Sequence, residues 1–184
     1  KKQVIVKRLN AIEELASVSV LCSDKTGTLT MNKLTFDKPY LTNKGNNKDD
    51  FNGTGVKYTD EELLLNSFFA SEPGAPDPIE SAVRKAAQTN VPLLKNRPNQ
   101  DHHIPGFKIN SFIPFNPTDK HTEATVTNLE TKEKFRVIKG APQVIIKICG
   151  GHHEASAMVD NFASRGLRAL GVARTTDDEM KHFE

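Results

Sequence analysis

Between Phe107 and Gly140 the chain passes through three β-rich stretches, FKINSFIPF, EATVTNL and KFRVIKG, with turns between them. Short runs of this kind at close intervals predict a sheet of antiparallel strands. Helical patterns flank it on both sides. In TDEELLLNSFFAS, Thr59 and Glu62 form a capping box, and acidic residues fill the first turn, so a helix is expected over about 60–71. EPGAPDP (72–78) breaks the pattern, and Pro78, whose missing N–H costs nothing at a first helical position, opens a second helix, PIESAVRKAAQ. A proline- and asparagine-rich loop is expected over 91–106. After the sheet, APQVIIKIC and EASAMVDNFASRG read as helices, the second closed by Gly166, and LRALGVAR as a last strand. The fold class is therefore α/β in composition and α+β in organisation: an antiparallel sheet flanked by helices.

The first 33 residues follow a different plan. Ile5, Leu9, Ile12 and Leu15 lie four, three and three apart, one face of a helix over 3–16. VSVLC (18–22) is a short β-branched run that reads as a buried strand. A polar loop, 23–33, comes next, then an extended stretch, 34–42, and a glycine-rich polar loop, 43–55. This order, a helix–strand–loop unit and then a self-contained body, puts the boundary between Thr30 and Asp37.

The formal net charge is +2 and no long basic tract occurs, so no nucleic-acid partner is expected. Two cysteines, Cys22 and Cys149, do not make a disulfide framework and sit comfortably in a reducing compartment. No apolar run approaches the roughly 20 residues that span a bilayer, so this stretch is not expected to be membrane-inserted. The chain starts in mid-pattern and ends in a charged run, TTDDEMKHFE, as a piece of something longer would.

The loop SDKTGTLTMNK carries the chemistry. Asp24 lies two residues beyond the expected strand, where α/β sheets present their reactive groups. A carboxylate there can attack phosphorus and become an aspartyl phosphate. Lys25 would neutralise charge on the transferred group, the backbone at Gly27 would cradle phosphate oxygens, and the Thr26 and Thr28 hydroxyls would add hydrogen bonds. Mg2+ would bridge carboxylate and phosphate, with Asp24 and Thr26 as an incomplete set of ligands. A lone aspartate is most often a turn residue or a cap. A given seven-residue string, by contrast, arises by chance in fewer than ~1 in 10⁸ windows.

DKTGTLT (24–30) resembles the phosphorylation signature of the P-type ATPases, and the likeness extends over essentially the whole chain. In that family the nucleotide-binding domain is inserted directly after this loop, within a haloacid-dehalogenase-like Rossmannoid phosphorylation domain. The resemblance implies three parts: 1–33 from the phosphorylation domain, 34–176 as the nucleotide-binding domain, and 177–184 as a linker returning to the phosphorylation domain. DPIESA resembles the acidic motif, with Glu80 facing the adenine amino group. FIPFNPTDKHTEAT resembles the segment of the adenine-stacking aromatic, here Phe115. KGAPQ resembles the lysine motif, with Lys139 and Gly140 at the pocket. RGLRALGVA resembles the arginine segment, with Arg168 near the phosphates. The chemistry is consistent with those roles: a purine wants a flat apolar partner, its amine an acceptor, and a triphosphate cations, while glycine lets a ligand approach the backbone.

PFNPTDK with KGAP and RGLRALGVA is most similar to the plasma-membrane proton pumps, although His121 and Gln143 depart from their pattern. ATP with Mg2+ is the implied substrate. The implied partners are the rest of the phosphorylation domain, the actuator domain and the transmembrane helices, and the implied location is the cytoplasmic face of a membrane. The family's remaining motifs are not found within these residues, so the chain alone is expected to bind ATP weakly without turning it over. Two alternatives stand beside this reading. A haloacid-dehalogenase-like phosphatase would want an acid at position 26, where this chain has Thr26; the other is a non-catalytic nucleotide-binding module. The pairs His102–His103 and His152–His153 lack partners at metal-ligand spacing and read as loop or helix-end residues.

Overall fold

The structure, a computed structural model, describes residues 5, 7, 8, 10–42, 58–72, 74–95, 103–175, 177 and 179–184. The polar loop expected at 43–55, and His102, lie outside these. The chain divides into two compact units, residues 1–33 and 34–184.

In the first unit the helix expected over 3–16 is formed only as α1 (Asn10–Ala16), residues 5, 7 and 8 lying outside it, and Ile12 and Leu15 are exposed. The expected buried strand at 18–22 is not formed: Val18, Val20 and Leu21 are 54%, 75% and 86% exposed, and Cys22 is exposed as well. The reason is physical. A buried strand needs hydrogen-bonded neighbours and cover for its apolar side chains, and among the described residues of this unit there is no second strand.

The second unit contains α2 (Asp60–Phe69), α3 (Pro78–Asn90), β1 (Phe107–Ile113), β2 (His121–Asn128), β3 (Lys134–Gly140), α4 (Pro142–Ile148), α5 (His153–Ser164) and β4 (Gly171–Arg174). The sheet runs β1-β2-β3-β4, every neighbouring pair antiparallel. The start signals act as expected. Thr59 and Glu62 complete a reciprocal capping box on α2, and the Asp77 carboxylate accepts the N–H groups of Ile79 and Glu80 ahead of Pro78. At the end of α5, Gly166 takes φ +74° and the Leu167 N–H reaches back to the Phe162 carbonyl at 2.9 Å, a close that favours glycine.

On β2, Thr122, Ala124 and Val126 alternate into the interior, where Phe68, Phe69 and Leu94 meet them. Phe69 packs against Phe107 and Phe135 at 5.1 and 6.1 Å between ring centroids. β3 is covered on both faces: Phe135 and Val137 join that cluster, whereas Ile138 joins Ile145, Ala173 and Phe183 in a second one. Two strands are shorter than the sequence suggests. Pro114 ends β1 two residues early, as proline does in a ladder, and Leu167–Leu170 precede β4 without pairing.

Of the segment expected as the return linker, residues 179–184 lie against the sheet. Arg174 and Glu184 exchange backbone hydrogen bonds at 2.8 and 2.9 Å, and Thr175 bridges Phe183. The Arg136 guanidinium holds this return. It forks onto Glu123 at 2.8 and 2.6 Å, donates to the Met180 carbonyl at 3.2 Å and lies 5.2 Å above the Phe183 ring. Forked charge-assisted bonds with an aromatic contact should be worth about 1–3 kcal/mol together. Arg136→Ala is therefore expected to speed hydrogen exchange at the Glu184 amide far more than at Val126. Equal protection at both sites would show that the fork is not what holds the return.

Candidate functional site

The N-terminus of α3 and the end of β3 bring two of the expected residues together. Glu80, in the first turn of α3, pairs through Oε1 with the Lys139 ammonium, while its Oε2 accepts the Glu72 N–H at 3.1 Å. The lysine side chain is only 3% exposed and the glutamate 15%, so the pair is almost out of water. Across the ladder from Lys139 stands Thr122. Its buried hydroxyl donates to the Ala70 carbonyl at 2.5 Å, with the Lys139 carbonyl also in reach at 3.2 Å. Thr122 thus ties the end of α2 to the strand carrying the lysine.

Lys139 lies on the wall of a cavity of about 500 Å³ whose lining is mainly apolar, including Val83, Ile145 and Phe162, with Lys38, Arg168 and Arg174 as further cations. A shallower recess of about 380 Å³ adjoins Ala141, Arg168 and Leu170. Arg168 is exposed and has no ion pair among the described residues. A partly apolar hollow of this size with a few convergent polar groups is the usual form of a small-molecule site.

The other expected residues are placed differently. Phe115 is 56% exposed on the turn joining β1 to β2 and does not line either hollow. The side of Gly140 where a side chain would project is filled by the chain itself. A Cβ there would overlap the Lys120 carbonyl oxygen and come within 2.6 Å of His121 Cα. The space this glycine leaves is taken up by backbone, not left for a ligand.

In the first unit Asp24, Lys25, Thr26, Gly27 and Thr28 are all exposed. Lys25–Leu29 form a wide turn, not a regular helix: Gly27 sits at φ +83°, which favours glycine, and the Thr30 N–H closes the turn on the Lys25 carbonyl at 3.1 Å. The Gly27 N–H, expected to be free for a phosphate, donates a long 3.3 Å bond to Thr30 Oγ1. No group of three His, Cys, Asp or Glu able to hold a metal is found among the described residues. One open carboxylate, Asp24, suits a Mg2+ ion that takes most of its ligands from water and phosphate.

Residues that the sequence reading passed over also shape the site. Thr122 is one. Others are Asn116 and Asp119, whose side chains bond to each other at 2.9 Å within the Phe115 turn. The string NPTD was a turn signal, whereas nothing local marked Thr122. His152 turns out to cap α5, accepting the Ala155 N–H at 3.1 Å. Cys149 lines the cavity. Burial, with a smaller contribution from Glu184, pushes its thiol up to about 11. At pH 8 a thiol-disulfide reagent should therefore titrate exposed Cys22 quickly and Cys149 slowly, the two rates converging in denaturant. Equal rates in the folded chain would contradict the burial.

The body is thus an α+β fold on an antiparallel sheet, with Lys139 at a cavity wall and Glu80 paired to it. No family model matches the chain. It is 41% identical over 177 residues to a protein of Methanocaldococcus jannaschii whose name places it among the cation-transporting ATPases, a match over 94% of this chain and 19% of that relative. It is 35% identical over 182 residues to the plasma membrane ATPase of Dunaliella bioculata, covering 97% and 14%. With plasma membrane ATPase 1 of Saccharomyces cerevisiae the figures are 38% over 184 residues, covering 95% and 18%. The chain belongs to the P-type ATPase family, and it spans less than a fifth of the length of these relatives.

Proposed function

We propose that these residues are the ATP-binding segment, with the phosphorylated loop attached, of a cation pump of the plasma-membrane proton type. The parent protein would hold them at the cytoplasmic face of its membrane, joined to the rest of the phosphorylation domain, an actuator domain and transmembrane helices. The observation that carries this reading is Lys139, held by Glu80 at the wall of a hollow that also presents Arg168. Adenine would stack on Phe115 beside Lys139, with its amine toward Glu80, and the phosphates would extend toward Arg168.

In the complete pump an Asp24 oxygen attacks the γ-phosphorus. The bond to the β,γ-bridging oxygen breaks, ADP leaves, and the carboxylate becomes an acyl phosphate. Lys25 and the turn at Gly27 balance charge on the transferred group. Mg2+, held in part by Asp24, would neutralise phosphate charge. Thr26 offers no general base near neutral pH, so the acyl phosphate persists, which separates this reading from a phosphatase. In the complete pump a hinge around residues 31–38 and 174–180 would swing the γ-phosphate toward Asp24.

One stack with a few polar contacts should give a Kd of ~0.1 to several mM, 1 mM corresponding to about −4.1 kcal/mol. Amide shifts on ATP titration measure it. Phe115→Ala is expected to weaken binding by about 5- to 150-fold, the equivalent of ~1–3 kcal/mol of stacking. Undiminished affinity in that variant would remove the stacking assignment.

A further inference from the structure

We infer that Gly140 and the Asn116–Asp119 pair are positioning residues that act through Phe115: they lock the β1–β2 turn against β3 and so fix where the aromatic ring is held. This inference rests on the ATP-binding reading above and adds to it residues that need not touch the nucleotide.

Phe115 has little packing of its own, being 56% exposed, so its position depends on the backbone of residues 114–120. That backbone is held at two places. Within the turn, the Asn116 amide donates to Asp119 Oδ2 at 2.9 Å, its carbonyl oxygen accepts the Thr118 N–H at 2.8 Å, and the Lys120 N–H closes on the Asn116 main-chain carbonyl at 2.7 Å. At its base, Lys120 adopts φ +57°, a conformation that non-glycine residues rarely take without compensation. The compensation is visible. The rotated Lys120 carbonyl accepts the Ala141 N–H at 3.0 Å, and His121 enters the ladder opposite Gly140.

That junction leaves no room for a side chain on β3. A Cβ on Gly140 would overlap the Lys120 carbonyl oxygen and lie 2.6 Å from both Cα and Cβ of His121. The obstructing atoms are mainly backbone, which cannot rotate aside as a flexible side chain would. Alanine at 140 must therefore push the base of the turn away from β3 and break the Ala141–Lys120 bond. Lys139, one residue earlier, is fixed separately by Glu80 and Thr122. The turn can thus shift while the ammonium stays. The glycine consequently sets the spacing between the ring and the lysine that would flank adenine from the other side.

The test is a double-mutant cycle on the full 184-residue chain. ATP affinity is followed by amide shifts into the tens of millimolar for Gly140→Ala, Asp119→Ala, Phe115→Ala and the two pairings with Phe115→Ala. Each positioning variant alone should weaken ATP by about fivefold or more, yet change affinity less than about twofold when Phe115 is already alanine. Hydrogen exchange at Lys120 and Ala141 should quicken in both variants, while Val126 and Val137 keep their protection. Additive losses in the cycle would overturn the inference, as would unchanged exchange at Lys120 and Ala141. If Phe115→Ala alone leaves ATP affinity intact, the stacking reading has failed and this inference with it. That outcome differs from additivity, which would leave the stacking reading standing. Should Gly140→Ala not fold, Asp119→Ala decides by the same criteria.

Discussion

Glu80→Ala is expected to cost the chain about 3–5 kcal/mol, because it strands the Lys139 ammonium, 3% exposed, without its carboxylate. It also removes the acceptor of the Glu72 N–H and so loosens the loop before α3. For a protein of this size each kcal/mol moves the melting temperature by roughly 2–4 °C, so a fall on the order of 10 °C should appear in a thermal scan. The pair itself is a different matter. Two charges that are both desolvated gain little net stability over apolar groups of similar volume. Glu80→Leu with Lys139→Met should therefore recover most of the loss while abolishing ATP-dependent amide shifts. Stability and binding would then part company in one series. Near-wild-type melting in Glu80→Ala would mean that the lysine has another way to satisfy its charge. Retained ATP binding in the double variant would take the pair out of the site.

What was legible in the sequence follows the range of the forces involved. Local chemistry was readable residue by residue: the Thr59–Glu62 box, Pro78 at a helix start and Gly166 at a helix end each act over one turn of backbone. So was the antiparallel sheet, since its signal is a series of short β-rich runs with turns between them. The run 18–22 was misread for the opposite reason. Its composition asks for burial, but burial depends on neighbours that the described residues of its unit do not supply. The contact of 179–184 with the sheet was equally hidden, because the Arg136 fork that holds it comes from a strand some forty residues earlier. At the site, Glu80 and Lys139 stand out as charges in marked motifs, but that they bond to each other is a matter of tertiary packing. Gly140 shows the limit of residue-type reasoning. Glycine does mark a close approach there, and the approaching group is the chain's own turn.

Incubated with Mg2+ and γ-labelled ATP, the 184-residue chain is expected to carry no stable label on Asp24, whereas a protein that supplies the rest of the phosphorylation domain should be labelled there and lose that label in Asp24→Asn. The obstacle is positioning, not reactivity. Asp24 is exposed, as are all the residues of its turn, so access is not the obstacle. In-line attack needs the carboxylate held near the phosphorus, and well-oriented reactants can draw about 7–11 kcal/mol of barrier lowering from that placement. Here the supporting strand is missing: Val20 and Leu21, which would anchor the turn from beneath, are 75% and 86% exposed. The turn is closed mainly by its own bonds, Thr30 N–H to Lys25 and the long Gly27 to Thr30 contact. A loop so lightly held spends little time in any one geometry, and most of that barrier lowering is forfeited. Stable acid-resistant, hydroxylamine-labile label on the isolated chain would show that the turn is organised without its sheet, and the argument from the unformed strand would be wrong.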